Sequence, residues 1–563
     1  MSQELLNQRM EIFDIYLNKT NLSHQQYQKD GVRWILNNEL REDPVCGIRG
    51  GFIADEMGLG KTIMMIGAML CNSSTFKKGG AKDCNEERDK DCYEEREKDC
   101  NEERDKDCNE DSAELRAKDC GKGSDCAAAE LGFNRTLIIV PPALVSQWYV
   151  QIARTTGHKS LIYHGNHKKS MGSADLENAK IVITTYGTIS VSAKKKVMCP
   201  LHTIYWPRVI FDEAHHLRNR NTSIYFGAKL LKSSICWLVS GTPIQNCKKD
   251  FYNLCSMIGL PSSYYTDSDN LKELTRAFIM KRTKKQVGII LPQIIEDKNI
   301  VSWSNDREKE LSEELHSMLE FSRVQGKSFG GHLSAIIKAR QSCILPRLLP
   351  NKRGYAAEYM EAFDCSSKLD FVVGKILERK GNGNGKLIFC HFREEIDEIA
   401  FRLNKGGIAS VATFDGRTSE VQRREILGQS NEALILQIQT GCEGLNLQEH
   451  YSEIYFISPH WNPAIEDQAV ARCHRIGQTK VVYVERFEMC GFLPFPPLGK
   501  VEPNHPPLRK VEPKVANSTE PLALSSAEPF LKVASEAEVM NIEEYVYFKQ
   551  GIKREIAFSL LPN

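Results

Sequence analysis

The chain has almost no net charge and no long apolar run. Its formal net charge is +1, from 74 basic and 73 acidic side chains, so we expect any nucleic-acid surface to be a local patch. No run approaches the ~18–20 apolar residues that span a bilayer, and the first residues lack the basic-then-apolar layout of a signal peptide. We therefore expect a soluble protein that is not secreted and has no membrane partner.

The sequence also lacks a pair of CxxC motifs at zinc spacing, although it contains 18 cysteines. Cys84, Cys92, Cys100 and Cys108 recur every eighth residue, which matches no ligand spacing of a metal site. They lie in a charged repeat, residues 76–131, with too few large apolar side chains to offset the entropy of ordering. We expect reduced thiols, no structural zinc, and a disordered or transiently helical insertion.

A short glycine-containing segment separates an apolar run from a helical pattern. Gly51–Ala54 indicates a buried strand, and Ile63–Leu70 indicates the helix after the turn. Glycines there let backbone N–H groups surround phosphate oxygens at a helix start, a lysine reaches the β- and γ-phosphates, and the next hydroxyl binds Mg²⁺. The generic pattern has glycine where this chain has Asp55. We predict a nucleotide site formed by Asp55, Glu56, Met57, Gly58, Leu59, Gly60, Lys61 and Thr62.

Short apolar strands alternate with helical stretches along most of the chain. The strands are Thr136–Val140, Ile181–Thr185, Arg208–Phe211, Trp237–Ser240, Lys386–Cys390, Ala433–Ile438 and Glu453–Ser458. This alternation predicts an α/β fold with parallel sheets in two tandem lobes, with ligands bound beyond the carboxyl ends of the strands. The predicted units are a first lobe at 1–300, a helical inter-lobe segment at 301–365, a second lobe at 366–490, a proline-rich linker at 491–536, and a C-terminal helix at 537–563 packed on the second lobe.

A pair of carboxylates follows the strand Arg208–Phe211. Acidic pairs are usually solvated, but a phosphate loop upstream gives this one a use: Asp212 would hold Mg²⁺ through water, and Glu213 would orient and deprotonate the attacking water. The next strand is followed by Ser240–Pro243. That segment is either an ordinary turn or a loop that relays the state of the γ-phosphate to a nucleic-acid site.

The second lobe carries two arginines on a predicted helix, after a glycine-rich loop at Thr440–Leu447. Arg472 and Arg475 are three residues apart, so they share a helical face. Such a pair is usually solvated or salt-bridged, but opposite a phosphate loop it can supply arginine fingers, typically worth ~10³–10⁵ in rate. ATP would then pull the lobes together, and hydrolysis would release them.

The segments DEMGLGKT, DEAH, LVSGTPIQN, TGCEGLNLQ and WNPAIEDQAVARCHRIGQ occur in this order and resemble the Swi/Snf family of helicase-like ATPases within helicase superfamily two. The resemblance runs from about Gln28 to Phe487. It implies two RecA-like lobes, ATP and Mg²⁺ as ligands, Thr62 and Asp212 at the metal, and translocation along double-stranded DNA without strand separation. It also implies that Gln28 reads the adenine, where periodicity alone favours a plain amphipathic helix, and that Gln468 joins the two arginines in the closing motif.

The segment SPHWNPAIEDQAVARCHRIGQ, which contains both arginines, is most similar to the repair and transcription-termination branch of that family. Several members there carry a RING insertion between the lobes, whereas here only Cys365 lies between Cys343 and Cys390. Ubiquitin ligase activity is therefore not implied. The resemblance implies remodelling of chromatin or displacement of DNA-bound proteins in the nucleus, with nucleosomes as candidate partners. The compact core and low-complexity insertions would equally suit a large DNA virus or a protist genome, with a cytoplasmic viral replication factory as the alternative location.

Two other functions fit the same residues less well. A strand-separating DNA helicase would share the nucleotide site, and a catalytically weak ATP-binding scaffold would need only part of it. DNA contacts are the least defined feature, because phosphate tracking needs only basic groups, hydroxyls and amides along a groove. The candidates are Thr184, Thr185, Arg282, His391, Arg393 and Trp461.

Overall fold

The computed structural model describes residues 3–20, 25–73, 134–192, 194, 197–245, 247–324, 329–350, 355–441, 445–492 and 541–561. The charged repeat at 76–131, the linker at 493–536 and the middle of the glycine-rich loop, 442–444, lie outside these residues. The predictions made for those segments therefore stay predictions.

Two sets of parallel strands form the framework of the described chain. The strands of the first set are β1 Arg49–Ile53, β2 Thr136–Val140, β3 Leu161–Tyr163, β4 Ile181–Thr185, β5 Tyr205–Asp212, β6 Lys232–Val239 and β7 Ile279–Met280. Those of the second are β8 Ile294–Val301, β9 Gly385–Cys390, β10 Val411–Phe414, β11 Ala433–Gln437, β12 Tyr451–Phe456 and β13 Val482–Met489. Their orders across the sheets are β3-β4-β2-β5-β6-β1-β7 and β10-β11-β9-β12-β13-β8. The predicted fold of two parallel-sheet α/β lobes is confirmed.

Helices cover both faces of each sheet. Those before residue 300 are α1 Gln3–Lys19, α2 Gln26–Leu40, α3 Lys61–Cys71, α4 Val145–Thr156, α5 Ser173–Asn178, α6 Tyr186–Ile189, α7 Ser223–Lys229, α8 Lys248–Met257, α9 Ser262–Thr266 and α10 Leu271–Phe278. The others are α11 Asp306–Val324, α12 Phe329–Ile344, α13 Ser367–Glu378, α14 Arg393–Lys405, α15 Glu420–Gly428, α16 Ile438–Gly441, α17 Pro463–Cys473 and α18 Ile542–Leu560. In the part of the chain described here, none is long and apolar enough to cross a membrane.

The central strands of both sheets are buried on both faces. Every residue of Thr136–Val140 and of Gly385–Cys390 is buried, which explains their nearly continuous apolar sequences. Each sheet therefore separates two apolar clusters, one under each layer of helices. The polar residues that follow the strands are left at the carboxyl edge, where the candidate site lies.

The strand at 294–301 corrects the predicted lobe boundary. The sequence-based boundary put residues up to 300 in the first lobe, but Ile294–Val301 pairs in parallel with Val482–Met489 at the edge of the second sheet. Apolar and polar residues do not alternate in its sequence, IIEDKNIV, and charged residues lie in the middle. Both features are typical of an edge strand. The second lobe therefore begins at this strand, before the inter-lobe helices α11 and α12.

A buried carboxylate fixes the helices around the nucleotide loop. Glu39 of α2 accepts hydrogen bonds from Arg208 Nε at 2.7 Å and Trp237 Nε1 at 2.8 Å, and from Asn72 Nδ2 at 2.6 Å. Asn72 directly follows α3. Because all of these groups are satisfied in the interior, α2 and α3 have fixed positions on strands β5 and β6, and Gln28 of α2 is held close to the loop.

The C-terminal helix α18 joins the two lobes. At its start Glu543 forms a fully buried ion pair with Lys368 and accepts a hydrogen bond from Met489 N at 2.9 Å. At its end Leu560 and Leu561 belong to the apolar core of the first lobe, and Lys281 Nζ donates to the carbonyl of Leu561 at 2.6 Å. The prediction that this helix packs on the second lobe is correct as far as Lys553 and Arg554, which bond to Trp461 and Asp467, whereas its last residues pack on the first lobe.

We expect Glu543→Ala to lower the free energy of unfolding by about 3–5 kcal/mol, because Lys368 would stay buried without its counter-ion. Urea unfolding followed by circular dichroism measures the change. The control is Glu555→Ala, which removes an exposed carboxylate from the same helix. Equal stability of the two variants would contradict the importance of this ion pair.

Candidate nucleotide site

The loop between β1 and α3 has the backbone of a phosphate cradle. Gly58 and Gly60 have φ angles of 92° and 75°, a region that glycine adopts without steric cost. A Cβ atom on Gly60 would lie 2.4 Å from Gln28 Nε2, so this position also needs glycine for space. Gly60 directly precedes the first residue of α3, which leaves the first N–H groups of that helix for an anion.

Lys61 lies over this loop and in the centre of the site. Its Nζ donates to the carbonyl of Asp55 at 2.9 Å and more weakly to that of Glu56 at 3.4 Å. Burial lowers the pKa of Lys61, while the charges of Glu213, Asp55 and Asp212 oppose that shift. The lysine therefore lies within electrostatic reach of the carboxylates of the DEAH segment.

Asp55, where the generic pattern has glycine, has a structural partner in Arg282. The Arg282 guanidinium donates to both carboxylate oxygens, at 3.1 and 2.5 Å, and to the carbonyl of Tyr27 at 2.5 Å. Gln28 Nε2 lies 3.4 Å from the carbonyl of Leu59. This arrangement corrects the suggestion that Arg282 contacts DNA, because its guanidinium is bound beneath the phosphate loop.

The carboxylate pair lies at the end of β5. Asp212 accepts hydrogen bonds from Trp148 Nε1 at 2.7 Å and from the backbone N–H of Glu213 at 3.0 Å. Glu213 has φ 48° and ψ 50°, an uncommon conformation for a non-glycine residue that is typical of functional sites. Its Oε2 lies 3.3 Å from His215 Nδ1. Trp148 could not be recognised from sequence as a partner of Asp212, because a buried tryptophan fits an apolar helix face equally well.

The two carboxylates have opposite shifts in pKa. Burial and the charge of Glu213 raise the pKa of Asp212. Burial also opposes ionisation of Glu213, but the hydrogen bond and charge of His215, with Lys61 and Arg472, lower its pKa overall. Glu213 is therefore an ionised carboxylate at neutral pH, which is the form that can accept a proton.

The Ser240–Pro243 loop contacts both halves of the site. A Cβ atom on Gly241 would lie 3.4 Å from Lys61 Nζ, and Ser240 Oγ lies 3.5 Å from His215 Nδ1. From the second lobe, Gln468 Nε2 donates to Thr242 Oγ1 at 3.3 Å. This segment therefore touches the nucleotide loop, the DEAH segment and the second lobe, and its role as a relay stays a prediction.

The second lobe brings its arginine helix α17 against the phosphate loop. The helix starts with Pro463 after the N-cap Asn462, whose side chain accepts from the N–H of Ala464. The helix ends at Cys473, so the prediction that Arg472 and Arg475 share a helical face is wrong: Arg472 lies in the last turn and Arg475 lies beyond it. The Cβ of Arg475 lies 3.5 Å from where a Cβ of Gly58 would stand. Arg475 Nη1 donates to Asn446 Oδ1, and the charge of Arg472 acts on Lys61 and Glu213. The structure therefore brings both predicted arginines to the site.

These residues fit a bound nucleoside triphosphate. Arg475 Nε is buried without a hydrogen-bond partner among the described residues, and burial together with the charge of Arg472 lowers the pKa of Arg475. A buried guanidinium with a free donor beside a second guanidinium would be stabilised by an anion. For Mg²⁺ the chain offers the Thr62 hydroxyl, in the first turn of α3, and Asp212. This set suits an ion held mainly by phosphates and water, and within the described ranges no cluster of three or more His, Cys, Asp or Glu side chains forms a metal site.

The candidate DNA contacts do not come together in one groove. Thr184 and Thr185 are buried, and Thr184 Oγ1 donates to the carbonyl of Tyr163 at 2.8 Å. His391 bonds to buried Arg340 at 2.7 Å, and Trp461 packs against the second core. With Arg282 bound to Asp55, Arg393 is the only exposed side chain among the six candidates.

Two parallel α/β lobes that meet at a phosphate loop, with paired arginines on the second lobe, define a helicase-like nucleotide-binding core. Comparison with known families agrees: the model described as SNF2-related domain matches residues 27–268, and the helicase conserved C-terminal domain matches residues 367–477. The chain belongs to the Swi/Snf family of helicase-like ATPases in helicase superfamily two.

Individual relatives are distant and mostly longer. An uncharacterized ATP-dependent helicase of Mycoplasma pneumoniae is 28% identical over 508 residues, 86% of this chain and 42% of that protein. The DNA repair protein RAD5B of Arabidopsis thaliana is 23% identical over 582 residues, 78% of this chain and 43% of that protein. The Sulfolobus solfataricus SWI2/SNF2 ATPase core in complex with dsDNA is 22% identical, covering 83% of this chain and 88% of that one, with a TM-score of 0.34. The chain spans about two fifths of these two curated relatives.

Proposed function

We propose that the protein is a DNA-dependent ATPase that translocates along double-stranded DNA and displaces or remodels proteins bound to it. The observation that carries the proposal is the contact of the two lobes at the phosphate loop, where Arg475 of the second lobe meets Gly58 of the first. A nucleotide held there would touch both lobes, so its hydrolysis can change their separation.

In this mechanism ATP is the substrate, and its phosphates lie in the loop from Gly58 to Thr62. Glu213 accepts the proton of the attacking water as the water oxygen bonds to the γ-phosphorus and the bond to the β-phosphate bridging oxygen breaks. Arg472 and Arg475 stabilise the negative charge that develops there. When bound by Thr62 and Asp212, Mg²⁺ neutralises charge on the phosphates. We assign Gln28 to hydrogen bonding with the adenine, and Gln468 to the contact that joins the lobes in the closed state.

The contact between Gln468 and Thr242 supports coupling to movement. Thr242 lies in the loop that touches Lys61 and His215, so the presence of the γ-phosphate can alter a hydrogen bond that joins the lobes. Loss of the phosphate would weaken this contact, and the lobes would separate. We assign repeated closure and opening to stepping along duplex DNA, at the place where the cell or virus keeps its template: the nucleus, or a cytoplasmic replication factory for a virus.

We expect duplex DNA to raise the rate of ATP hydrolysis by about tenfold or more, because closure is needed to assemble the site and DNA would favour it. Steady-state turnover is measured without DNA and with single-stranded DNA, duplex DNA or nucleosomes. Lys61→Ala is the control that removes turnover under every condition. Hydrolysis that is equally fast without DNA would contradict the proposal.

Two further assays separate the other candidate functions. A fluorescent unwinding assay tests for a strand-separating helicase, and displacement of a triplex-forming strand from duplex DNA tests for translocation. We expect displacement without unwinding. ATP binding with no turnover under any condition would instead favour an ATP-binding scaffold.

A further inference from the structure

Lys284 is a buried basic residue at the junction of the two lobes. It belongs to the basic segment Lys281–Lys285, to which the hydrolysis mechanism gives no role, and its exposed fraction is 9%. The backbone N–H of Lys284 donates to Glu56 Oε2 at 2.8 Å, and its Nζ lies 3.0 Å from Glu56 Oε1. One residue therefore holds both oxygens of a carboxylate within the phosphate loop.

The same ammonium group also reaches the second lobe. Lys284 Nζ donates to the carbonyl of His474 at 3.0 Å. His474 is the C-cap residue of α17 and lies between the two arginines of the site. A cation at a helix C-terminus is favourable because the last carbonyls carry partial negative charge. His474 in turn donates from Nε2 to the carbonyl of Pro292 at 2.8 Å, in the connection between the lobes.

These contacts place Lys284 beside the phosphate loop and against the end of α17. A Cβ atom on Gly58 would lie 3.7 Å from Lys284 Cε and 3.5 Å from Arg475 Cβ. The loop, the lysine and the arginine thus form one continuous contact. The Glu56 side chain is 42% exposed, and an ion pair with so exposed a partner adds little stability. Its geometric effect is larger, because the contact ends at the C-cap of α17, between Arg472 in the last turn of that helix and Arg475 just beyond it.

We propose that Lys284 is a positioning residue for ATP hydrolysis, which sets the arginine helix of the second lobe against the phosphate loop through Glu56 and the carbonyl of His474. This inference rests on the proposed function, since positioning matters only if the arginines act on a nucleotide. Lys284 acts through Arg472 and Arg475 and not as a phosphate ligand. Because the link joins groups of the two lobes, separation of the lobes would break it.

The first experiment separates rate from binding. Lys284→Met keeps the length of the side chain and removes its charge, and we expect kcat to fall by about 10²-fold, the usual effect of misplacing a catalytic group by ~1 Å. The KM for ATP and the affinity for a fluorescent, non-hydrolysable ATP analogue should change little. Lys284→Arg should restore part of kcat, because it again offers a cation. Lys285→Met, which alters the exposed neighbour, should behave as wild type.

The second experiment does not depend on turnover. Hydrogen–deuterium exchange of the peptide 463–478, measured with the analogue bound, should be faster in Lys284→Met than in wild type. The double variant Glu56→Gln with Lys284→Met should show little more loss of kcat or gain in exchange rate than either single variant. Analogue affinity that falls as much as kcat would make Lys284 a phosphate ligand and overturn the proposal, as would unchanged kcat and exchange. If wild type fails to hydrolyse ATP, the proposed function is wrong, and the exchange measurement still decides whether Lys284 holds the helix.

Discussion

The Glu213→Gln variant is expected to hydrolyse ATP about 10²- to 10⁴-fold more slowly than wild type, the range for loss of a general base. The substitution keeps the shape of the side chain and its place beside His215 but removes the charge that accepts a proton. Because the pKa of Glu213 is lowered by His215, Lys61 and Arg472 despite its burial, the wild-type group is ionised across the neutral range. The loss should therefore not be recovered by raising the pH.

Single-turnover hydrolysis measures the expected loss of rate, and binding of a fluorescent ATP analogue measures nucleotide affinity. Binding should be retained, because the loop and Lys61 are untouched. The control is Glu449→Gln, which neutralises an exposed carboxylate of the second lobe. Loss of binding together with turnover, or turnover close to that of wild type, would show that Glu213 is not the base.

The strands that sequence could locate are those with both faces buried. Thr136–Val140 and Ile181–Thr185 are found at the predicted residues, since short continuous apolar runs bounded by polar residues are typical of strands buried on both faces. Edge strands carry a weaker signal. Ile294–Val301 was missed because four adjacent polar residues interrupt it, and only its partner Val482–Met489 shows which lobe it joins.

In the candidate site, too, some residues could be recognised from sequence and others could not. Gly58, Gly60 and Lys61 are recognisable from sequence because local backbone geometry dictates them. The partners that hold the loop are not local: Arg282 lies 227 residues from Asp55, and Trp148 lies 64 residues from Asp212. A basic or aromatic side chain has many uses, so only the assembled fold shows which partner it takes.

The same limit applies to the link between lobes. The helical pattern near the end of the chain predicted α18, but not that Leu561 reaches the core of the first lobe. That contact, the Gln468 hydrogen bond and the arginine helix all cross between the lobes. The inter-lobe contacts therefore determine how precisely the second lobe can be aligned with a nucleotide on the first.

Arg475 provides the strongest test of this alignment. Its Nε is buried without a partner among the described residues, its Nη1 bonds to Asn446, and its Cβ meets the phosphate loop. This guanidinium is fixed by the hydrogen bond from Nη1, and its free Nε–H can donate to an anion. Burial and the charge of Arg472 lower the pKa of Arg475, a cost that a triphosphate between the lobes would offset.

We expect Arg475→Ala to lower kcat for ATP hydrolysis by ~10³-fold or more, the scale of an arginine finger, with a much smaller change in analogue affinity. Arg475→Lys should recover little, because an ammonium cannot reproduce the planar fork that reaches both Asn446 and a phosphate. Arg424→Ala, at an exposed arginine of the same lobe, is the matched control. If Arg475→Ala and Arg424→Ala turn over ATP equally fast, the second lobe does not complete the site, and closure of the lobes cannot be what drives hydrolysis.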